Sequence, residues 1–98
     1  MEKFSDIIMS EKPVLVDFYA QWCGPCKAMA PVLESLKQQL GEKIRIIKID
    51  IDRNSAMADT YSVRSVPTLI LYKKGNIVWR ASGARGADEL KKIISQYI

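Results

Sequence analysis

The chain has 98 residues, 48% of them hydrophobic, with 15 lysines and arginines against 11 acidic residues, two cysteines and no histidine. That length supports one domain, residues 1–98, with a modest core and no need of staples. The net charge of +4 is scattered along the chain, which describes a solvated surface and argues against nucleic-acid binding. No apolar run approaches the length of a membrane span, and Met1 to Asp6 lacks the apolar core of a signal peptide, so the expectation is a cytoplasmic monomer without membrane contact.

In chain order, a short amphipathic segment from Phe4 to Met9 leads through Ser10-Glu11-Lys12-Pro13 into an apolar run, Val14 to Ala20. That run suits a strand buried on both faces. From Lys27 to Leu40 the period changes to that of a helix, with Met29, Val32, Leu33, Leu36 and Leu40 on one face, Pro31 predicting a kink and Gly41 ending it. The isoleucine-rich stretch from Lys43 to Asp52 predicts a second strand, parallel to the first through a crossover. A short helix follows over Asn54 to Tyr61. Thr68 to Tyr72, the turn Lys73-Lys74-Gly75-Asn76 and Ile77 to Arg80 have the spacing of an antiparallel hairpin. The last helix is expected over Asp88 to Ile98, with Leu90, Ile93, Ile94, Tyr97 and Ile98 on one face. A central mixed sheet with helices on both faces is the compact solution.

Both cysteines lie in Cys23-Gly24-Pro25-Cys26, where the first strand gives way to the first long helix. Two thiols three positions apart at a helix start can close a disulfide on themselves, exposed and easily reduced. Zinc would need four N or S ligands, and without a third cysteine or a histidine only a site shared between chains stays open. A structural staple is a poor use of so short a loop, because closing it removes little entropy from the unfolded chain. The pair therefore reads as a redox centre. The thiolate is the nucleophile, and a helix N-terminus favours negative sulfur at Cys23. Pro25 has no N–H to waste in the first turn, Gly24 leaves the approach free, and Trp22 and Lys27 add an apolar surface and a positive charge.

The chain resembles the thioredoxin family over nearly its whole length. The matching signatures are Val16-Asp17-Phe18-Tyr19-Ala20, Trp22-Cys23-Gly24-Pro25-Cys26-Lys27, Pro31, Lys48, Ser65-Val66-Pro67-Thr68, the turn at Gly75, and Gly83. Gly-Pro between the cysteines looks like thioredoxin, where glutaredoxins usually carry Pro-Tyr and the oxidising isomerases a histidine. The resemblance implies a thioredoxin-like α/β fold and a protein disulfide reductase acting on client proteins by dithiol–disulfide exchange. It implies no bound cofactor beyond the redox-active Cys23–Cys26 disulfide, with electrons coming ultimately from NADPH through a thioredoxin reductase. Cys23 would attack the client disulfide and Cys26 would resolve the mixed disulfide. Asp17, a carboxylate inside an apolar strand, would be the base for Cys26, with Lys48 as its charge partner; the alternative is a pair serving only fold specificity. Pro67 would be cis, although residues alone favour trans, and Val66 before it would pair with an extended substrate segment. Gly83 and Ala84 would complete an apolar rim with Trp22 and Val66.

Three departures from the family pattern stand out. Phe4 lies so near the start that the N-terminal strand of longer relatives is expected to be missing, leaving a four-stranded sheet with the Lys43 to Asp50 strand at one edge, blunted by Lys43 and Arg45. Tyr19 stands where tryptophan is common, and Ser65 where glycine is common. A different class of function fits the same outline: a binding module docking through Trp22, Val66 and Gly83 with incidental thiols. A dedicated electron carrier for a single client is the other alternative.

Overall fold

A computed structural model describes residues 2–98. The sheet is built around β1 (Val14–Tyr19), whose residues from Val14 to Phe18 are wholly buried because both of its faces are covered. Leu15 points to one side, into a cluster with Met29, Leu33, Leu36, Leu69, Leu71, Leu90 and Ile94. Val14, Val16 and Phe18 point to the other, among Ile8, Ala58, Val63, Ile70 and Tyr72. Side chains alternate along a strand, so Asp17 shares the face of Leu15.

Helix α1 (Phe4–Ile7) precedes β1, and α2 (Gly24–Leu40) follows it. A 3-10 turn, Gly41–Lys43, leads into β2 (Arg45–Asp50), then come α3 (Ser55–Thr60), β3 (Thr68–Lys73), β4 (Asn76–Ser82) and α4 (Ala87–Ile94). The four strands lie in the order β2-β1-β3-β4. The β1–β2 pair is parallel, with Asp17 opposite Lys48, and the β1–β3 and β3–β4 pairs are antiparallel. No strand precedes α1 among the described residues, and β2 is an edge.

Boundaries shift from the sequence expectation where tertiary contacts take over. Helix α2 starts at Gly24 because the Cys23 side chain caps it, and it continues through Pro31, whose missing N–H leaves the Lys27 carbonyl without a helical donor. Lys43 lies in the 3-10 turn, not on the edge strand, so of the two expected charges only Arg45 guards that edge, paired with Glu2. β4 runs two residues past Arg80, since Ala81 and Ser82 pair with Leu69 and Thr68. Helix α4 stops at Ile94, short of Ile98. Beyond it Tyr97 packs against the sheet and its hydroxyl donates to the carbonyl of Val78, the residue skipped in the β3–β4 register, at 3.1 Å.

Candidate active site

The C-terminal end of β1 delivers the chain into α2 at Cys23, which has extended backbone and occupies the N-cap. Its sulfur accepts the Cys26 N–H at 3.1 Å, as a serine or aspartate oxygen would in that position. The two cysteines form a disulfide with their Cα atoms 5.3 Å apart. The expectation of an exposed disulfide is corrected: Cys23 is only 5% and Cys26 3% exposed, packed with Ala20 against Tyr19, Ile51 and Val66. Little of either cysteine is open to attack. Gly24 and Pro25 form the exposed first turn beside it, and a side chain at Gly24 would meet nothing within 4 Å.

Cys23 and Val66 are 43 residues apart in sequence, yet Cys23 Sγ lies 3.6 Å from the Val66 carbonyl oxygen. The Val66–Pro67 bond is cis, in agreement with the resemblance and against the reading from residues alone. Thr68 Oγ1 donates to the Ser65 carbonyl at 2.7 Å and holds the approach to that bond. On the far side, Gly83 N donates to the Pro67 carbonyl at 2.8 Å from a backbone at φ +92°, a conformation that favours glycine. Ala84 is exposed next to it, and Arg85 N approaches Met29 Sδ of α2 at 3.4 Å, tying this loop to the helix that carries the cysteines. The structure thus gathers Cys23, Cys26, Val66, Pro67 and Gly83 from three separate stretches of chain.

Trp22 is 70% exposed and is nevertheless held: its indole N–H donates to Asp52 Oδ2 at 2.9 Å. Asp52 is steadied in turn by its own N–H, which donates to Asp50 Oδ1 at 2.9 Å. Sequence reasoning missed both aspartates. The available signal was their place at the end of β2 and just past it, on a strand parallel to β1 that ends on the same side of the sheet as the cysteines.

Asp17 is fully buried, and neither carboxylate oxygen has a hydrogen-bond partner. Burial pushes its pKa from 3.8 up to about 6, partly opposed by the positive charge of Lys48. Lys48 is the register partner of Asp17 but does not come within ion-pair distance of it. Its ammonium instead sits 4.7 Å from the centroid of the Tyr19 ring, a contact of about 0.5–1 kcal/mol at an exposed site. Among the described residues no three His, Cys, Asp or Glu side chains gather as metal ligands, and no helix is long and apolar enough to cross a membrane.

The family profile for thioredoxin matches residues 1–96. The chain belongs to the thioredoxin family. It is 49% identical over 96 residues to thioredoxin from Chlamydia trachomatis, covering 98% of this chain and 92% of that one. Identity to Bacillus subtilis thioredoxin is 45% over 89 residues, 91% of this chain and 86% of the relative. A bifunctional thioredoxin reductase/thioredoxin of Mycobacterium leprae is 44% identical over 95 residues, 97% of this chain and 21% of that protein. Among solved structures, a point mutant of thioredoxin from Halobacterium salinarum superposes with a TM-score of 0.87 at 43% identity, covering 95% of this chain and 80% of that one. With the disulfide in the thioredoxin position, this family member is a thiol–disulfide oxidoreductase and Cys23–Cys26 is its redox-active pair.

Proposed function

We propose that the protein reduces disulfides in client proteins with Cys23 as nucleophile and Cys26 as resolving thiol. The observation that carries this assignment is the N-cap position of Cys23, where its sulfur takes the Cys26 N–H at 3.1 Å. That N–H and the positive end of α2 stabilise a Cys23 thiolate in the reduced protein, an advantage Cys26, one turn into the helix, does not share. The Cys23 thiolate attacks one sulfur of the client disulfide, forming a mixed disulfide and expelling the other client sulfur as thiolate. Cys26, after losing its proton, attacks Cys23 Sγ, closing the Cys23–Cys26 disulfide and releasing the second client thiolate. Two electrons pass to the client, and NADPH through a thioredoxin reductase restores the dithiol; a relative that joins both activities in one chain supports that route.

Asp17 receives the Cys26 proton, directly or through water, since a carboxyl with a pKa near 6 exchanges protons readily around neutral pH. Lys48 moderates that carboxyl through its charge. The half-buried backbone and flank of Val66 receive an extended client segment as an added strand, with Trp22, Gly83 and Ala84 as the rim and cis-Pro67 offering no N–H to compete. The protein acts as a single-domain monomer in a reducing compartment such as the cytoplasm.

The test is a trap. Cys26→Ser leaves the attack intact and removes resolution, so covalent complexes with clients accumulate on non-reducing gels, while Cys23→Ser traps nothing. Equal trapping by both variants would mean the nucleophile is misassigned. A docking module with incidental thiols would instead bind clients equally well as parent, Cys23→Ser and Cys26→Ser, with no covalent adduct.

A further inference from the structure

On the Cys26 side of the disulfide lies an open pocket of about 250 Å³, lined by Tyr19, Ala20, Gln21, Cys26, Lys27 and Lys48. None of these residues except Cys26 belongs to the redox pair or to the rim formed by Trp22, Val66, Pro67, Gly83 and Ala84. Two ammonium groups, a phenol and a primary amide line it, and no acidic side chain does. Among the described residues neither Lys27 nor Lys48 has an ion pair, as is true of most basic side chains of this protein. Lys48 is held at the pocket by the Tyr19 ring instead of by a carboxylate. Asp17 stands opposite Lys48 on the neighbouring strand and the two charges act on each other, but the carboxyl is wholly buried and is not part of the lining, so the side of the pocket open to a ligand carries only positive charge. A concave wall bearing one sign of charge focuses its field, so the pocket attracts an anion more strongly than the same lysines on an open face would.

We infer that this pocket is a carboxylate subsite, taking a glutamate or aspartate that flanks the half-cystine of a client protein. The inference rests on the disulfide-reductase reading and narrows it, because the pocket is lined by Cys26, the bonding partner of the Cys23 sulfur to which the client is joined. A client residue next to the half-cystine can turn its side chain toward Lys27 and Lys48 while its backbone lies along Val66. The pocket therefore selects among clients by charge. The Tyr19 hydroxyl and the Gln21 amide are further donors, and a glutamate at position 21 would cancel much of the attraction.

The experiment uses two disulfide-linked peptides identical except for Glu or Gln beside the half-cystine, reduced by the intact protein at low ionic strength. Two exposed lysines are each worth a fraction of a kcal/mol to a carboxylate, so kcat/KM should favour the Glu peptide by about fivefold. Gln21→Glu should bring that ratio to about one, Lys27→Gln should lower it about twofold, and the remote exposed Lys92→Gln should leave it unchanged. Equal rates for the two peptides in the parent, a preference that survives Gln21→Glu, or one that falls as much with Lys92→Gln would overturn the subsite while leaving disulfide reduction intact. Failure to reduce either peptide would instead overturn the reductase reading on which the subsite rests.

Discussion

Replacing Asp17 by asparagine should make the protein more stable at neutral pH and slower at its chemistry. The carboxyl has no hydrogen-bond partner and no exposure, and its pKa rises from 3.8 in the unfolded chain to about 6 in the fold. Below pH 3.8 both states hold the proton and its ionisation costs the fold nothing. Between 3.8 and about 6 the unfolded state releases the proton first, so stability falls as pH rises. Above that window the full loss is in place, roughly two pKa units or about 3 kcal/mol. Asparagine keeps the shape and cannot ionise, so the variant should match the parent within about 1 kcal/mol at pH 3 and exceed it by about 2–3 kcal/mol at pH 8. In a domain of this size that is a rise in Tm on the order of 10–20 °C. Urea melts of the oxidised proteins across this pH range give the difference directly, since the other carboxyl groups are common to both. Stopped-flow reduction of a protein disulfide supplies the second reading: the first attack by Cys23 should be little changed and resolution by Cys26 should slow. A stability difference that is the same at pH 3 and pH 8 would refute the buried, ionising carboxyl. A variant that turns over at the parent rate would confine Asp17 to a structural role.

Two further outcomes test the edge strand and the tryptophan tether. Arg45 N donates to Pro13 O and Ile51 N to Tyr19 O, so by the alternation of a parallel ladder the N–H groups of Ile46, Lys48 and Asp50 face away from β1. Hydrogen exchange there should be faster than at Val14 to Phe18, and equal protection would show that another strand covers the edge. Asp52→Ala should free the Trp22 ring at a cost in stability of less than about 1 kcal/mol, raising KM for protein disulfides several-fold with kcat nearly constant. Tryptophan anisotropy and steady-state kinetics measure the two effects, and an unchanged KM would show that the tether does not shape the client surface.

The two cysteines at a strand-to-helix junction already specified the chemistry, because thiolate stabilisation needs only a helix start and a second thiol one turn away. Apolar runs, hairpin spacing and helical periodicity likewise located every strand and the longer helices to within a few residues, and the run from Val14 to Phe18 announced a strand buried on both faces. These features are local, and the residues that encode them are neighbours in the chain. What depended on tertiary structure joins residues 29–43 positions apart: Cys23 against Val66, Trp22 against Asp52, Tyr19 against Lys48. The cis bond before Pro67 is of the same kind, since its local preference is trans and only the surrounding fold can reverse it. Burial of the disulfide also escaped the sequence, because it comes from Ala20, Ile51 and Val66 meeting at one end of the sheet. Strand order decides which chain ends converge there, and that order is a property of the packed sheet, with no single segment carrying it.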